Sequence, residues 1–166
     1  NDIPDDPERC YYRLYTYSTM NRFIAAFSEM MREYGSLTEF VRQSVNDAKC
    51  ISAVEAITSW FAARGIEGVI PKNIQSSCKR VCMFMRWMVR SDSPVDLGLW
   101  SEIIDRRTLI MPMDTHVVQQ SMRLNLLASS STSMSAAQRL TSAMSLVFPD
   151  DPLKGDFALF GYGVNN

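Results

Sequence analysis

Lys79 and Asp114 are the two residues whose types and placement suggest covalent chemistry. Lys79 stands in the stretch SSCKRV, where a polar loop gives way to an apolar helical pattern. A lysine in the first turn of a helix sits at the positive end of the helix dipole, which disfavours its ammonium form. Partly desolvated beside other cations, such an amine becomes a usable nucleophile near neutral pH. Asp114 lies in LIMPMDTHVVQQSMRL, just after Met113 and close to His116, the only histidine. Five mostly apolar residues lead to it and an amphipathic segment follows. That placement makes Asp114 a helix N-cap, and a cap aspartate can also be a carboxylate that assists an attack.

The segment CKRVCMFMRWMVR, residues 78–90, holds nine apolar or cysteine residues in thirteen. Such a helix is hydrophobic nearly all round and belongs in a core. Lys79, Arg86 and Arg90 are nonetheless spaced by seven and then four residues. At 3.6 residues per turn, both arginines project within roughly 20° of Lys79, whereas Arg80 points elsewhere. Two readings stay open. In one, Arg86 and Arg90 are salt-bridged to acids such as Asp92, Asp96 or Asp156. In the other, they line a cleft, tune Lys79 or hold phosphate. Lys72, in the Pro-Lys-Asn loop, is a solvated lysine or a phosphate contact. Gln75 and His116 are weaker candidates for a pocket, and a lone histidine is more often packed or hydrogen-bonded.

Neither a phosphate-binding glycine loop nor an HExxH pattern occurs. Cys10, Cys50, Cys78 and Cys82 lack the spacing of a zinc or iron–sulfur site, so they are expected as reduced, packed thiols. No metal and no cofactor is expected. The eleven methionines fit adaptable core filler.

The elements must bring Lys79 and Asp114 together. The chain has 166 residues, 46% hydrophobic and 21% charged, with net charge −1. These values describe one globular domain able to bury a core. They exclude a global basic field, so any nucleic-acid contact must be local. No apolar run approaches a membrane span and no secretory signal is visible, which points to a cytoplasmic protein with no membrane partner. The sequence starts with Asn rather than Met, so residues upstream are expected. Oligomeric state is not readable.

No strand-like alternation stands out, and helix signals recur. An irregular arm is expected over 1–15, docked by Tyr11, Tyr12 and Tyr15. Helices are expected over about 18–33, 36–43, 47–64, 77–90, 97–104, 114–124 and 135–147. Asp151-Pro152 would open a last helix ending at Gly161. SLTE, 36–39, has the form of a capping box. The expectation over residues 1–166 is a single compact all-α domain of seven or eight helices.

At this point the segment around Asp114 resembles V-D-T-H-V-x-R-x-x-x-R-L of the endonuclease III-like DNA glycosylases, in the helix-hairpin-helix superfamily. DFALFGYGV, 156–164, resembles the closing helix of that fold. The resemblance implies a base-excision enzyme that flips a damaged base from DNA. Lys79 would be the amine nucleophile of glycosylase and abasic-site lyase chemistry, and Asp114 the assisting carboxylate. Trp87, Trp100 and Phe84 would be available to stack a base, although their helical spacing suits a core better.

The whole chain is also identified as a member of an uncharacterised conserved microbial family. The marks are C-K-R-x-x-M-F-x-R-W-M-V-R, D-x-G-x-W, L-I-x-P-x-D-x-H and D-F-A-L-F-G-x-G. They match Cys78–Arg90, Asp96–Trp100, Leu109–His116 and Asp156–Gly163.

The glycosylase pattern is altered in three places. Ser76-Ser77-Cys78 stands where the superfamily hairpin places G-x-G before the lysine, so its phosphate-binding amides are changed or absent. The lysine-to-aspartate spacing is longer than in endonuclease III, as it also is in archaeal 8-oxoguanine glycosylases. The iron–sulfur cysteines are missing. The rival expectation is a non-catalytic module for nucleic acid or protein on the same scaffold, and a third is a related fold acting on a nucleotide or another small ligand.

Overall fold

The structure, a computed structural model, describes residues 6–91 and 93–164. The chain opens in a small antiparallel hairpin, β1 (Cys10–Tyr12) and β2 (Tyr15–Thr16), with Cys10 opposite Thr16 and Tyr12 opposite Tyr15. Seven α-helices follow among the described residues: α1 (Tyr17–Tyr34), α2 (Leu37–Ser44), α3 (Cys50–Ala63), α4 (Lys79–Val89), α5 (Thr115–Arg123), α6 (Met134–Val147) and α7 (Lys154–Val164). A 3-10 turn, Arg106–Thr108, lies between α4 and α5.

Local chemistry explains the boundaries. The Thr16 hydroxyl accepts from Thr19 N–H to open α1, and Gly35 closes it at a φ of 78°, where a side chain would be strained. Ser36 accepts from Glu39 N–H and Ser133 from Ala136 N–H, opening α2 and α6. The expected capping box is only half used. Glu39 turns its carboxylate to Arg42 and Gln43, each within hydrogen-bonding distance, and away from Ser36.

The helices surround one cluster of buried side chains. Met30, Val41, Val54, Met85, Trp100, Met111, Val117, Leu140 and Leu153 are among its fully enclosed members. Trp100 donates its indole N–H to Thr38 Oγ1 at 2.9 Å, which satisfies its one polar atom in the core. The extended run 109–113 threads through this core, tied by Met111 N–H to Thr141 Oγ1 at 2.9 Å. Its apolar composition is the sequence cue for that path.

Three expectations change. The arm is a hairpin, because Tyr12 and Tyr15 face each other across a turn at Arg13. Tyr15 docks through its hydroxyl onto Gly68 O at 2.9 Å, while Tyr11 and Tyr12 are exposed; residues 1–5 of the arm fall outside the described residues. The helix expected over 97–104 is a series of turns. Gly98 has a φ of 66°, which is not helical, and the amides beside it are spent on α4. Leu97 and Trp100 donate to Trp87 O and Met88 O at 2.6 and 2.7 Å, closing the C-terminal end of α4. The last helix begins at Lys154 rather than at Pro152, since Asp151 spends its carboxylate elsewhere. No helix among the described residues is long and apolar enough to cross a membrane.

Candidate functional site

Lys79 and Asp114, 35 residues apart in sequence, meet as an ion pair with Nζ 2.7 Å from Oδ2. Each is delivered by a helix start. Lys79 is the first residue of α4, and the loop before it is pinned to the start of α6. Ser77 N–H donates to Thr132 O at 2.8 Å and Met134 N–H to Gln75 O at 3.2 Å, an isolated bridge that joins Ser76 to Ser133. Cys78 then turns the chain into α4 with a left-handed backbone, φ 48° and ψ 39°, and caps none of the helix amides with its side chain. That conformation costs an L-residue free energy that glycine would not pay. Lys79 and Arg80 therefore stand over an uncapped helix N-terminus, where amide hydrogens face outward.

Asp114 is the N-cap of α5. Its Oδ1 accepts from His116 N–H at 2.8 Å while Oδ2 takes the lysine. Burial pushes its carboxyl up, but the Lys79 ammonium and the His116 amide outweigh this and hold it below the usual aspartate value. The carboxylate is thus ionised, bonded on both oxygens and one-fifth exposed, beside a half-exposed ammonium.

The cationic face of α4 continues inward as a second structure. Arg86 and Arg90 are both buried. Arg86 Nη1 lies 2.8 Å from Asp156 Oδ2, and its Nε 3.6 Å from Asp96 Oδ1. Arg90 pairs with Asp96 Oδ2 at 2.8 Å and with Asp151 Oδ2 at 3.0 Å. Of the two roles read for these arginines, the geometry displays ion pairing; Asp96 and Asp156 were among the acids named, and Asp92 falls outside the described residues. Asp151 was missed. A reading by helix caps assigns it to α7, and nothing local links it to a residue 61 positions away. Burial pushes the Asp156 carboxyl above the usual aspartate value despite Arg86 beside it.

The remaining candidates are dispersed. Lys72 is exposed and pairs with Glu67 at 3.1 Å. The Gln75 side chain is exposed, and its backbone carbonyl serves the bridge to α6. His116 lies in α5 just past Asp114, with its ring edge-on to Phe160 of α7 at 5.8 Å. Trp100 is enclosed and Phe84, partly buried, meets it edge-on, whereas Trp87 is exposed. Two aromatic residues missed at the sequence level flank the site. Phe157 lies 4.0 Å from the Arg86 guanidinium carbon and Phe160 touches His116, both about half exposed. The signal for them was an apolar pair at i, i+3 directly after a charged helix start.

Gly163 explains why α7 can lie so close to α5. A Cβ there would stand 3.0 Å from His116 Cβ and 3.1 Å from Gln120 Cγ. The cysteines are free thiols, three of them buried, and burial pushes Cys50 up to about 12. Among the described residues no group of three or more His, Cys, Asp or Glu side chains could hold a metal ion.

The sequence pattern of a family described as protein of unknown function (DUF2400) spans residues 2–165. The chain belongs to that family. No curated protein and no solved structure matches it. In this member, all four sequence marks supply ion-paired groups: Lys79, Arg86 and Arg90 from the first, Asp96 from the second, Asp114 from the third and Asp156 from the fourth. The second mark, DLGLW, supplies Asp96 and the turn that closes α4.

Proposed function

We propose that this chain is a DNA-repair protein of the helix-hairpin-helix glycosylase type, with Lys79 as amine nucleophile and Asp114 as assisting carboxylate. The observation that carries the reading is the 2.7 Å contact between Lys79 Nζ and Asp114 Oδ2, made from two helix starts 35 residues apart. The left-handed Cys78 and the uncapped amides after it supply a backbone able to face a phosphate without the usual glycines.

In this reading Lys79 releases one proton to water and the free amine attacks C1′ of a damaged nucleoside. The N-glycosidic electron pair leaves with the base, which takes up the second Nζ proton. Asp114 stays ionised and faces the positive charge that develops at C1′. Opening of the sugar ring, with O4′ taking up a proton from water, then leaves a protonated Schiff base on Lys79. Loss of a C2′ proton expels the 3′ phosphate and cuts the strand. Lys72, Gln75 and His116 remain contact candidates for the DNA, while Arg86 and Arg90 would act only by holding α4 and α7 in place.

Borohydride trapping tests this. Duplex DNA carrying an abasic site or 8-oxoguanine is mixed with the protein and reduced. The expected result is a covalent adduct, lost in Lys79→Gln and strongly reduced in Asp114→Asn, with far-UV circular dichroism unchanged. A folded protein that gives no adduct with either DNA overturns the enzyme reading. That outcome leaves a non-catalytic binding module, which the sequestration of Arg86 and Arg90 by three carboxylates favours.

A further inference from the structure

A cleft of about 390 Å³, which neither Lys79 nor Asp114 lines, is walled by α1, α2, α3, α4 and residues 69–70. Its walls are apolar, with Phe23, Phe27, Phe61, Val81 and Phe84 prominent. Phe23 stacks on Phe61 at 5.2 Å and on Phe27 at 6.5 Å, so the aromatic wall is fixed before anything enters. A cleft of this size falls in the range used for small molecules. A contiguous apolar hollow open to water is rarely left without an occupant.

One charged side chain lines it. Arg80 Nη1 donates to Gly68 O at 2.7 Å and to Val69 O at 3.3 Å, which pins the guanidinium at the mouth. Tyr15 lies 5.5 Å beneath it. Among the described residues no carboxylate pairs with Arg80, whose partners are the two loop carbonyls. Its side chain lines the cleft and its guanidinium carries no carboxylate, so a held cation stands at the rim of an apolar hollow. This combination calls for a ligand with an apolar body and one anionic end. A nucleobase fits poorly, because the walls offer no set of donors and acceptors to its polar edge.

We propose that this cleft binds an apolar monocarboxylate of the medium-chain fatty-acid class, its tail against the phenylalanines and its carboxylate on the Arg80 guanidinium. The site is independent of the chemistry assigned to Lys79. The test is calorimetric titration of the whole chain with dodecanoate, dodecanol and dodecyltrimethylammonium, each below its micelle concentration. Saturable one-to-one binding of dodecanoate is expected, with dodecanol weaker by about tenfold and the ammonium weakest. Arg80→Gln should bring dodecanoate to the affinity of dodecanol and leave dodecanol unchanged. Val69→Trp, at the mouth, should abolish both while circular dichroism stays unchanged. Absence of saturable dodecanoate binding, equal binding of all three amphiphiles, or binding that survives Val69→Trp overturns the proposal. So does self-association through the cleft that dodecanoate fails to reverse.

Discussion

Asp114 does two jobs with two oxygens. Oδ1 caps α5 and Oδ2 holds Lys79. Asparagine can keep the first job and lose the charge of the second, so Asp114→Asn separates them. The pH dependence follows from the direction of the shift. Unfolded, the group takes up its proton near 3.8, and folded it does so lower. As pH falls through that window the unfolded chain binds the proton first, and folding loses the contribution. Lys79 is half exposed, so screening limits the pair to about 1 kcal/mol or less. Urea denaturation should therefore show wild type more stable than Asp114→Asn at pH 7, with the gap closing below the ordinary aspartate value. A gap that persists unchanged at pH 3 would mean that the carboxylate charge contributes nothing to folding.

At the scale of elements, the approach of α7 to α5 depends on one missing side chain. A Cβ on Gly163 would press on His116 Cβ, which the backbone of α5 holds in place, and on Gln120. Gly161, two residues earlier and on the opposite face of α7, meets nothing within 4 Å. Gly163→Val should destabilise by roughly 1–3 kcal/mol through overpacking. Gly161→Ala should stabilise by up to about 1 kcal/mol, because alanine is the better helix former. Thermal melts of the two variants check this, and a shift of the same sign in both would sink the packing account.

The same scale shows what the sequence could and could not convey. Periodicity located α1, α4 and α6 to within about two residues, because their apolar faces repeat along the chain. It misplaced 97–104, where apolar spacing is present but the backbone is bent by Gly98 and bonded to α4. The pairing of Lys79 with Asp114 was suggested only by the resemblance of their segments to a known pattern, since two helix starts 35 residues apart carry no local sign that they meet. The pairing of Arg90 with Asp151 was not, since a long-range ion pair leaves no local pattern.

For the molecule as a whole, the buried charges on α4 decide the most. Arg86 and Arg90 carry two positive charges, while Asp96, Asp151 and Asp156 carry up to three negative ones. The cluster ties α4 to the turn before Trp100 and to the start of α7. The cluster holds one more carboxylate than it holds cations, and burial raises the Asp156 carboxyl by more than Arg86 and Arg90 lower it. Between pH 3.8 and its folded value, the folded chain holds this proton while the unfolded chain has lost it, so stability falls as pH rises through that window.

The two kinds of substitution should then differ sharply. Arg90→Met leaves the buried Asp151 without its cation and Asp96 with only the 3.6 Å contact to Arg86 Nε, and should cost roughly 3–5 kcal/mol. Asp156→Asn keeps an oxygen to accept from Arg86 and removes the excess charge, so its cost should be about 1 kcal/mol or less. It should also flatten the fall in stability with rising pH. Chemical denaturation of both variants between pH 4 and pH 7 measures each effect. Equal losses in the two variants would show that the cluster is held by packing and hydrogen-bond geometry, with charge balance of little consequence.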